Sequence, residues 1–408
     1  MRLLILASIC VVFFSLTSCK KKDKPVEQDE NLQVNYISSP AAAQSSLPFL
    51  FSNGNKTLLS WVEEQSDTLT IFKYSQWEAD KWQQPQEILR GSDWFVNWAD
   101  FPMIAENKEN FWSHILKKSA SDTYAYDVKF NIKPKGSDLW KTNLPLHSDG
   151  TTTEHGFVSV VPYKDAFFIA WLDGRNTLEN KVGERGAMTI RTAEVDAHGT
   201  ITAENELDNA ICDCCQTTAA ITANGPVVLY RDRSPDEIRD ISIVRKVAGD
   251  WTQPKKIYED QWMIKGCPVN GPKVSAINNN LVVAWFTAAQ ENPRVQLIFS
   301  TDGGANFDAP IQVTEGKVIG RVDVVLMDPE TALVSWMETV ANSTQLNAMR
   351  ISRKGHTSTK HIITTLDASR KTGFPQMEKV GNSILFAWTD VTTAESLIKT
   401  ALVAVDQL

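Results

Sequence analysis

The sequence lacks several patterns that would assign it to common classes of protein. No long run of Lys and Arg follows residue 31, and the formal net charge is −8, so nucleic acid is not an expected partner. Beyond the N-terminus, no apolar spacing typical of an amphipathic helix stands out. Tyrosine is absent after Tyr258, and cysteine occurs at only six positions. These absences direct attention to short strands and to the few cysteines.

The first eighteen residues have the composition of an export signal. Arg2 is followed by an apolar stretch over 3–16 that is short for a membrane span. It ends in Thr17, Ser18 and Cys19, which resembles a bacterial lipobox and implies lipidation of Cys19. An ordinary signal peptide with an incidental cysteine is the alternative. We predict a signal peptide over 1–18 and a flexible tether over 19–31.

The charge that follows Cys19 bears on the membrane in which the lipid would be anchored. Lys20 stands where an acidic residue would retain a lipoprotein in the inner membrane. We therefore expect an outer-membrane lipoprotein of the cell envelope, facing either the periplasm or the cell surface. Membrane contact through the lipid and a monomeric state are part of this expectation.

The sequence contains one motif seven times, a short apolar run that ends in a small residue and an aromatic ring. Leu281–Phe286 is the clearest copy. The aromatic positions are Trp61, Trp112, Trp171, Tyr230, Trp285, Trp336 and Trp388. A period of 51 to 59 residues built from short strands is typical of a β-propeller with one four-stranded blade per repeat. We predict an all-β, seven-bladed β-propeller that forms a single domain over 32–408.

Each repeat is expected to supply four strands, A to D, with the aromatic motif in strand B. The seventh repeat ends after strand C, and Leu32–Ser38 before the first repeat has no other place. We predict that this N-terminal segment provides the missing strand D and closes the ring, because closure removes the exposed sheet edges.

The turn after strand C of the fifth repeat carries a second motif. Its residues are Ser300, Asp302, Gly304 and Phe307. They match the Asp-box, or BNR repeat, of the sialidase superfamily, so the chain resembles a divergent sialidase-like propeller. The resemblance implies architecture, with the six blades of ordinary sialidases as the alternative ring size, and it implies nothing about catalysis.

The chain departs from the sialidase pattern where sialidase chemistry resides. Sialidases have an Arg-Ile-Pro motif near the start, three spaced arginines that bind the substrate carboxylate, and a late tyrosine nucleophile activated by a glutamate. Here the first motif is absent, no arginine pattern is found, and the last tyrosine is Tyr258. We therefore do not expect sialidase activity in its usual place.

The loops from strand D to the next strand A and from strand B to strand C share one face of a propeller, and this face holds the unusual residues. Four cysteines that follow the leader are Cys212, Cys214, Cys215 and Cys267. In an exported protein they could form disulfides between blades four and five. A copper or zinc thiolate site that includes His155, or a redox-active thiol, are the alternatives.

Arginines and aromatic rings on the same face are candidate ligand-binding residues. They are Arg175, Arg231, Arg233, Arg239, Arg321 and Trp98. A guanidinium can pair with a carboxylate or phosphate through two hydrogen bonds. The alternatives are mutual pairing of these arginines with nearby acids and, for the tryptophans, packing between blades.

The leading functional hypothesis is a binding protein of the cell envelope that holds a polar or anionic ligand, such as a glycan fragment, on this Cys- and Arg-lined face. The alternative is an exo-acting glycoside hydrolase. Its candidate catalytic residues are Asp100, His155, Asp173, Asp232 and Glu237. The third hypothesis is a copper, zinc or redox protein built on the cysteines; otherwise no cofactor is expected. The sequence leaves open whether the protein is an enzyme.

Overall fold

The computed structural model describes residues 32–66, 68–179, 183 and 185–408. These residues form seven antiparallel sheets arranged in a ring. The prediction of a seven-bladed β-propeller is confirmed, and the six-bladed alternative is wrong. The predicted signal peptide, the tether and Cys19 lie outside the described residues. No helix in the described part of the chain is long and apolar enough to cross a membrane.

The strands of the first three blades follow one another in chain order, from the innermost strand A outward. Blade one contains Ser45–Ser52, Thr57–Ser66, Leu69–Glu78, Lys81–Trp82 and Gln86–Gly91. Blade two contains Ile104–Asn107, Asn110–Lys118, Tyr126–Lys133 and Lys141–Pro145. Blade three contains His155–Tyr163, Ala166–Asp173, Met188–Asp196 and Ile201–Ile211.

The remaining blades repeat this order. Blade four contains Thr218–Thr222, Gly225–Arg231, Ile241–Val247, Asp250–Trp251 and Lys255–Lys256. Blade five contains Lys273–Ile277, Asn280–Thr287, Arg294–Ser300 and Ile311–Glu315. Blade six contains Val318–Asp328, Thr331–Val340, Ser343–Ser352 and His361–Leu366. Blade seven contains Gln376–Val380, Ser383–Asp390 and Leu397–Ala404. Short 3-10 turns span Ala289–Glu291, Arg370–Thr372 and Val405–Gln407.

The N-terminal segment closes the ring, as predicted. Asn35–Ile37 pairs antiparallel with Leu397–Ala404 and forms the outer strand of blade seven, with Tyr36 opposite Ala401. Leu32 packs against the apolar core shared by the last two blades. The start of the propeller is thereby hydrogen-bonded to its last strand.

The repeated aromatic residues form the cores of the blades and of the interfaces between them. Five of the seven are fully buried tryptophans. In three blades the indole donates a hydrogen bond to a carboxylate two positions further along strand B. Residues two positions apart in a strand have their side chains on the same face of the sheet. The pairs are Trp61 with Glu63 at 2.7 Å, Trp171 with Asp173 at 2.9 Å and Trp336 with Glu338 at 2.9 Å.

The turn after Ser300 lies at the opposite end of the ring from the loops that enter strand A. The hydroxyl of Ser300 accepts a hydrogen bond from the Gly304 amide at 3.0 Å, and Asp302 accepts one from the Asn306 amide at 2.9 Å. Gly304 has a φ of 82°, a conformation that favours glycine. Phe307 packs on the core of blades four and five. These contacts stabilise the turn locally.

Candidate functional site

A cavity of about 380 Å³ opens among the loops that enter strand A of the blades. Loops before blades two, three, four, five and seven line it with Trp98, Glu154, Cys214, Cys267 and Arg370 respectively. The face chosen from the sequence is therefore one on which side chains from distant parts of the chain meet. We call this cavity the axial pocket.

A buried glutamine joins three of these loops beneath the axial pocket. The amide nitrogen of Gln216 donates a 2.7 Å hydrogen bond to the carbonyl of Ala99. Its amide oxygen accepts a 3.0 Å hydrogen bond from the Gly271 amide. A Cβ atom on Gly271 would lie 2.0 Å from the Gln216 carbonyl oxygen, so only glycine permits this approach. The loops before blades two, four and five are fixed to one another in this way.

Two carboxyl groups in the axial pocket lie next to one phenol. The hydroxyl of Tyr126 donates a 2.7 Å hydrogen bond to Glu154 and lies 3.5 Å from Oδ2 of Asp100. Asp100 also accepts a 2.8 Å hydrogen bond from the Phe157 amide. A Cβ atom on Gly156 would lie 2.0 Å from Asp100, so glycine makes room for the carboxyl group. Tyr126, Glu154 and Asp100 are called the acid triad below.

Burial controls the protonation of the acid triad. It raises the pKa of Glu154 to about 7, and the negative charge of nearby Asp213 adds to the effect. Burial also raises the pKa of Asp100 well above its usual range, with a further contribution from Glu154. The pKa of Tyr126 is raised by burial and by the two carboxylates. At neutral pH this arrangement holds a neutral phenol beside a carboxyl group that can exchange a proton.

Several aromatic rings line the axial pocket. The ring of Phe95 stacks on Tyr126 at 4.3 Å and contacts the edge of Tyr124 at 6.2 Å. Tyr124 is 58 % exposed. The predicted ligand-binding residue Trp98 also lines the pocket, where it stacks on Phe374 at 5.8 Å.

Trp262, a tryptophan on a neighbouring loop, does not line the pocket. Trp262 is buried and packs on Phe286, with the guanidinium of Arg231 4.8 Å from its ring centroid. Its role is packing, which was the alternative interpretation for these aromatic residues.

Three of the four cysteines lie close together in the loop that enters blade four. The sulfur of Cys212 lies 3.8 Å from that of Cys214 and 3.7 Å from that of Cys215. All four cysteines are free thiols in the structure, and Cys267 is exposed on the wall of the axial pocket. Hydrogen bonds from Cys214 and Cys215 and the adjacent Arg239 guanidinium lower the pKa of Cys212, whereas burial raises the pKa of Cys215.

The candidate catalytic residue His155 belongs to a different buried cluster. Its ring stacks on that of His147 at 3.9 Å. Its Nδ1 lies 3.1 Å from the Thr153 carbonyl, and its Nε2 lies 3.3 Å from Asp149 and 3.7 Å from Asp173. The ring therefore has hydrogen-bond acceptors near both of its nitrogens. His155 is not one of the groups around the cysteines.

Asp173 is buried and shares its carboxylate among several donors. It accepts a 2.9 Å hydrogen bond from the Trp171 indole and two 2.7 Å hydrogen bonds from the Arg175 guanidinium. The predicted ligand-binding Arg175 and the candidate acid Asp173 thus form an internal ion pair. Although burial would raise it, the hydrogen bond from Arg175 helps to hold the pKa of Asp173 below its usual range.

Two of the predicted arginines bind backbone carbonyl groups. Arg231 is buried and donates to the carbonyls of Arg239, Asn270 and Phe286 at 2.7 to 2.8 Å. Arg321 donates to the carbonyls of Ser369 and Gly373 at 3.1 and 2.9 Å. In both residues the guanidinium joins the strand or loop of one blade to a neighbouring loop.

The other two arginines share one acid at the rim. Arg233 and Arg239 both pair with Glu237, at 2.6 and 2.8 Å. The candidate acid Asp232 accepts a 2.9 Å hydrogen bond from Ser242, and burial raises the pKa of this carboxyl group. The rim network that was the alternative to a ligand clamp is therefore present among these side chains.

Sequence reasoning identified Asp100, Trp98, Cys214 and Cys267 but did not single out five other polar or aromatic residues of the axial pocket. These are Asn97, Tyr124, Tyr126, Glu154 and Asp213. A weak signal existed for Glu154, which stands directly before the strand that begins at His155. Loops before strand A carry the functional residues of this face, so every polar residue in that position was a candidate.

No protein-family model and no curated protein matches the chain. Among solved structures, the polysaccharide lyase Uly1 aligns with a TM-score of 0.52 and 9 % identity over 92 % of this chain and 93 % of its own. The K499G mutant of NanB sialidase from Streptococcus pneumoniae aligns with a TM-score of 0.47 and 11 % identity over 92 % and 71 %. A protein of unknown function from Dyadobacter fermentans has a TM-score of 0.46 and 11 % identity over 92 % and 96 %. These likenesses concern the fold alone.

Proposed function

We propose that the protein binds a glycan fragment in the axial pocket. The observation that carries the proposal is the composition of that pocket, which is lined by both aromatic rings and hydrogen-bonding side chains. A sugar ring presents an apolar face of C–H groups and a periphery of hydroxyl groups, so it fits such a surface. Tyr124 offers the exposed ring, while Asn97, Glu154 and Asp213 offer the polar atoms.

Within the class of polar or anionic ligands, the charged residues that line the pocket favour a mainly neutral one. Asp100, Glu154 and Asp213 line the cavity, and Arg370 is the cation among the lining residues described. The arginines that could have held an anion make internal pairs instead. A neutral oligosaccharide, or one whose single carboxylate reaches Arg370, is therefore favoured over a highly charged ligand.

A binding measurement tests this proposal. Isothermal titration with a panel of neutral and uronic-acid oligosaccharides is expected to find at least one ligand. Tyr124→Ala is expected to weaken it about fivefold, because a stacked ring contributes about 1 kcal/mol. Tyr258→Ala is the matched control, since Tyr258 is also exposed but does not line the pocket. Absence of binding across the panel, or equal losses in both variants, would refute the proposal.

A second candidate function is cleavage of a glycosidic bond, and the acid triad favours it. A carboxyl group with a pKa of about 7 can give a proton to a leaving oxygen near neutral pH. Protonated Glu154 would supply that proton as the bond from carbon to oxygen breaks, and a water molecule would complete hydrolysis. The polysaccharide lyase Uly1 shares the fold, which makes polysaccharides the first substrates to examine.

Activity and binding can be separated by one variant. Release of 4-methylumbelliferone from a panel of glycosides, and formation of unsaturated products from polysaccharides, measure the reaction. Glu154→Gln is expected to abolish turnover while it retains ligand binding, because the amide keeps the shape of the side chain and can still accept the Tyr126 hydrogen bond. If no substrate in either panel is turned over, the protein is a binding module.

The proposal includes attachment to the outer membrane through a lipid on Cys19. Metabolic labelling with a radioactive fatty acid is expected to mark the wild-type chain and not Cys19→Ser. Equal labelling of both would refute the anchor, and fractionation of cell membranes would establish the compartment.

A further inference from the structure

The cysteine cluster of the loop that enters blade four has the arrangement of ligands around a single ion. Three sulfur atoms, from Cys212, Cys214 and Cys215, lie within 4.8 Å of one another. They occur within four consecutive positions, yet the turn directs all three side chains to one point. Cys212 and Cys215 are buried, whereas Cys214 is half-buried and lines the axial pocket. The cluster is therefore enclosed by protein on one side and can be reached from the pocket on the other.

The distances between the sulfurs fit metal ligands. Bonded sulfurs in a disulfide are about 2.05 Å apart. Sulfurs that each lie about 2.3 Å from one metal ion are about 3.8 Å apart in tetrahedral geometry and about 4.0 Å apart in trigonal geometry. The observed separations from Cys212 are 3.8 and 3.7 Å. The loop thus already holds the thiols at the spacing of a coordinated ion.

The number and kind of donors indicate which ion. Thiolates are soft ligands that select Cu(I), Zn or iron–sulfur clusters. A structural zinc site takes four protein ligands, and no fourth His, Cys, Asp or Glu joins this group among the residues that the structure describes. Three sulfurs satisfy the low coordination number of a soft monovalent ion. Cu(I) is therefore the ion that this set matches.

Surrounding groups support thiolates at this position. The guanidinium of Arg239 lies 3.2 Å from the sulfur of Cys212, where it can offset the negative charge of a metal–thiolate centre. Arg239 is itself held by Glu237 at 2.8 Å. The amide of Cys212 donates to the Arg231 carbonyl at 3.0 Å, so the first ligand is fixed to strand B of blade four.

We propose that Cys212, Cys214 and Cys215 bind one Cu(I) ion at the edge of the axial pocket. Binding would release the thiol protons to solvent as the copper–sulfur bonds form. The copper site can be tested separately from glycan binding, since Tyr124 and the acid triad are not among its ligands. Cys214 lines the pocket, which gives a copper donor access to the ion.

Competition for Cu(I) tests the site. The full chain is purified anaerobically, freed of reductant, and titrated with Cu(I) in the presence of bicinchoninate. One ion per chain is expected. Cys212→Ser and Cys215→Ser are expected to weaken binding by at least about 100-fold, more than the loss of a supporting outer-shell group. Cys267→Ser is the matched control, because this cysteine is exposed and stands outside the cluster, and it should retain the wild-type affinity.

Two further measurements do not depend on folding of the variants. X-ray absorption of the copper-loaded wild-type chain is expected to show three sulfur neighbours at about 2.3 Å. Mass mapping of cysteines alkylated in denaturant under anaerobic conditions is expected to find all three cluster thiols reduced when copper is removed. The proposal is overturned by a disulfide within the cluster, by failure to compete for Cu(I), by fewer than three sulfur neighbours, or by equal loss in Cys267→Ser.

Discussion

The hydroxyl of Tyr126 donates a 2.7 Å hydrogen bond to Glu154, although the two residues are 28 positions apart and belong to different blades. Tyr126 begins strand C of blade two, and Glu154 ends the loop that enters blade three. The pair places a protonatable carboxyl group against a neutral phenol inside the axial pocket. Its protonation controls both the charge of the pocket and part of the stability of the loop face.

The first prediction concerns the pH dependence of stability. Because burial raises the pKa of Glu154 to about 7 from an ordinary value near 4.5, its contribution to stability is complete below pH 4.5 and is lost as pH rises through 7. Glu154→Gln removes this loss, so the variant should gain up to about 3 kcal/mol relative to wild type at pH 8. Urea unfolding between pH 4 and pH 9 measures the difference.

The control for that measurement is Glu395→Gln, which changes an exposed glutamate on blade seven. Its unfolding free energy should run parallel to that of the wild type across the same pH range. If the unfolding free energy of Glu154→Gln also runs parallel to that of the wild type, protonation of Glu154 does not account for the pH dependence of stability.

The second prediction concerns the buried carboxylate of blade three. Asp173→Asn is expected to destabilise the protein by about 2 kcal/mol, because it removes the charge of a buried carboxylate that accepts two hydrogen bonds from the Arg175 guanidinium. Chemical denaturation measures the loss. Asp165→Asn, at the other end of the same hairpin, removes an exposed pair with Lys108 and should stay within about 0.5 kcal/mol of wild type. A small effect in both would contradict a structural role for Asp173.

The third prediction concerns the buried guanidinium group of Arg231. Its guanidinium binds three carbonyl groups in a buried site, and a lysine cannot reproduce that planar set of donors. Arg231→Lys should therefore lower the unfolding free energy by about 3 kcal/mol. Arg353→Lys changes a half-buried surface arginine paired with Asp308 at 2.6 Å and should change stability by less than about 0.5 kcal/mol. If the two variants lose similar amounts of unfolding free energy, the buried guanidinium of Arg231 has no special structural role.

The fourth prediction concerns closure of the ring. A chain that begins at residue 39 loses the strand Asn35–Ile37 and exposes the edge of Leu397–Ala404. We expect its thermal midpoint to fall by about 5 °C or more and its tendency to aggregate to rise. A chain that begins at residue 32 is the control. Light scattering and calorimetry on the two chains measure both effects, and identical midpoints would show that the strand is dispensable.

Much of the propeller was predictable because the signal for each blade is local. Trp61, Trp171 and Trp336 recur in the same context, and each is followed two positions later by an acid. This spacing is set by the pleat of a single strand, so it can be read without knowing which blades are neighbours. The closing role of the N-terminal strand followed from counting strands in the last repeat.

The arginines show where local reading fails. The sequence places Arg175 next to Asp173 and Arg233 near Glu237, but spacing cannot decide whether these charges pair with each other or with a ligand. Arg231 is the clearest example, because its acceptors are carbonyl groups 8 to 55 positions away. Only the folded chain reveals them, since any residue can supply a carbonyl.

The sequence by itself determined the ring of blades, the face that carries the irregular loops, and the presence of a tight cysteine group in one of them. The tertiary structure alone decided which side chains meet on that face. Tyr126, Glu154 and Asp100 come together because the start of strand C in blade two lies beside the loops that enter blades two and three. The sulfurs of Cys212, Cys214 and Cys215 lie together because the chain turns here, whereas an extended segment would direct Cys215 to the side opposite Cys212 and Cys214.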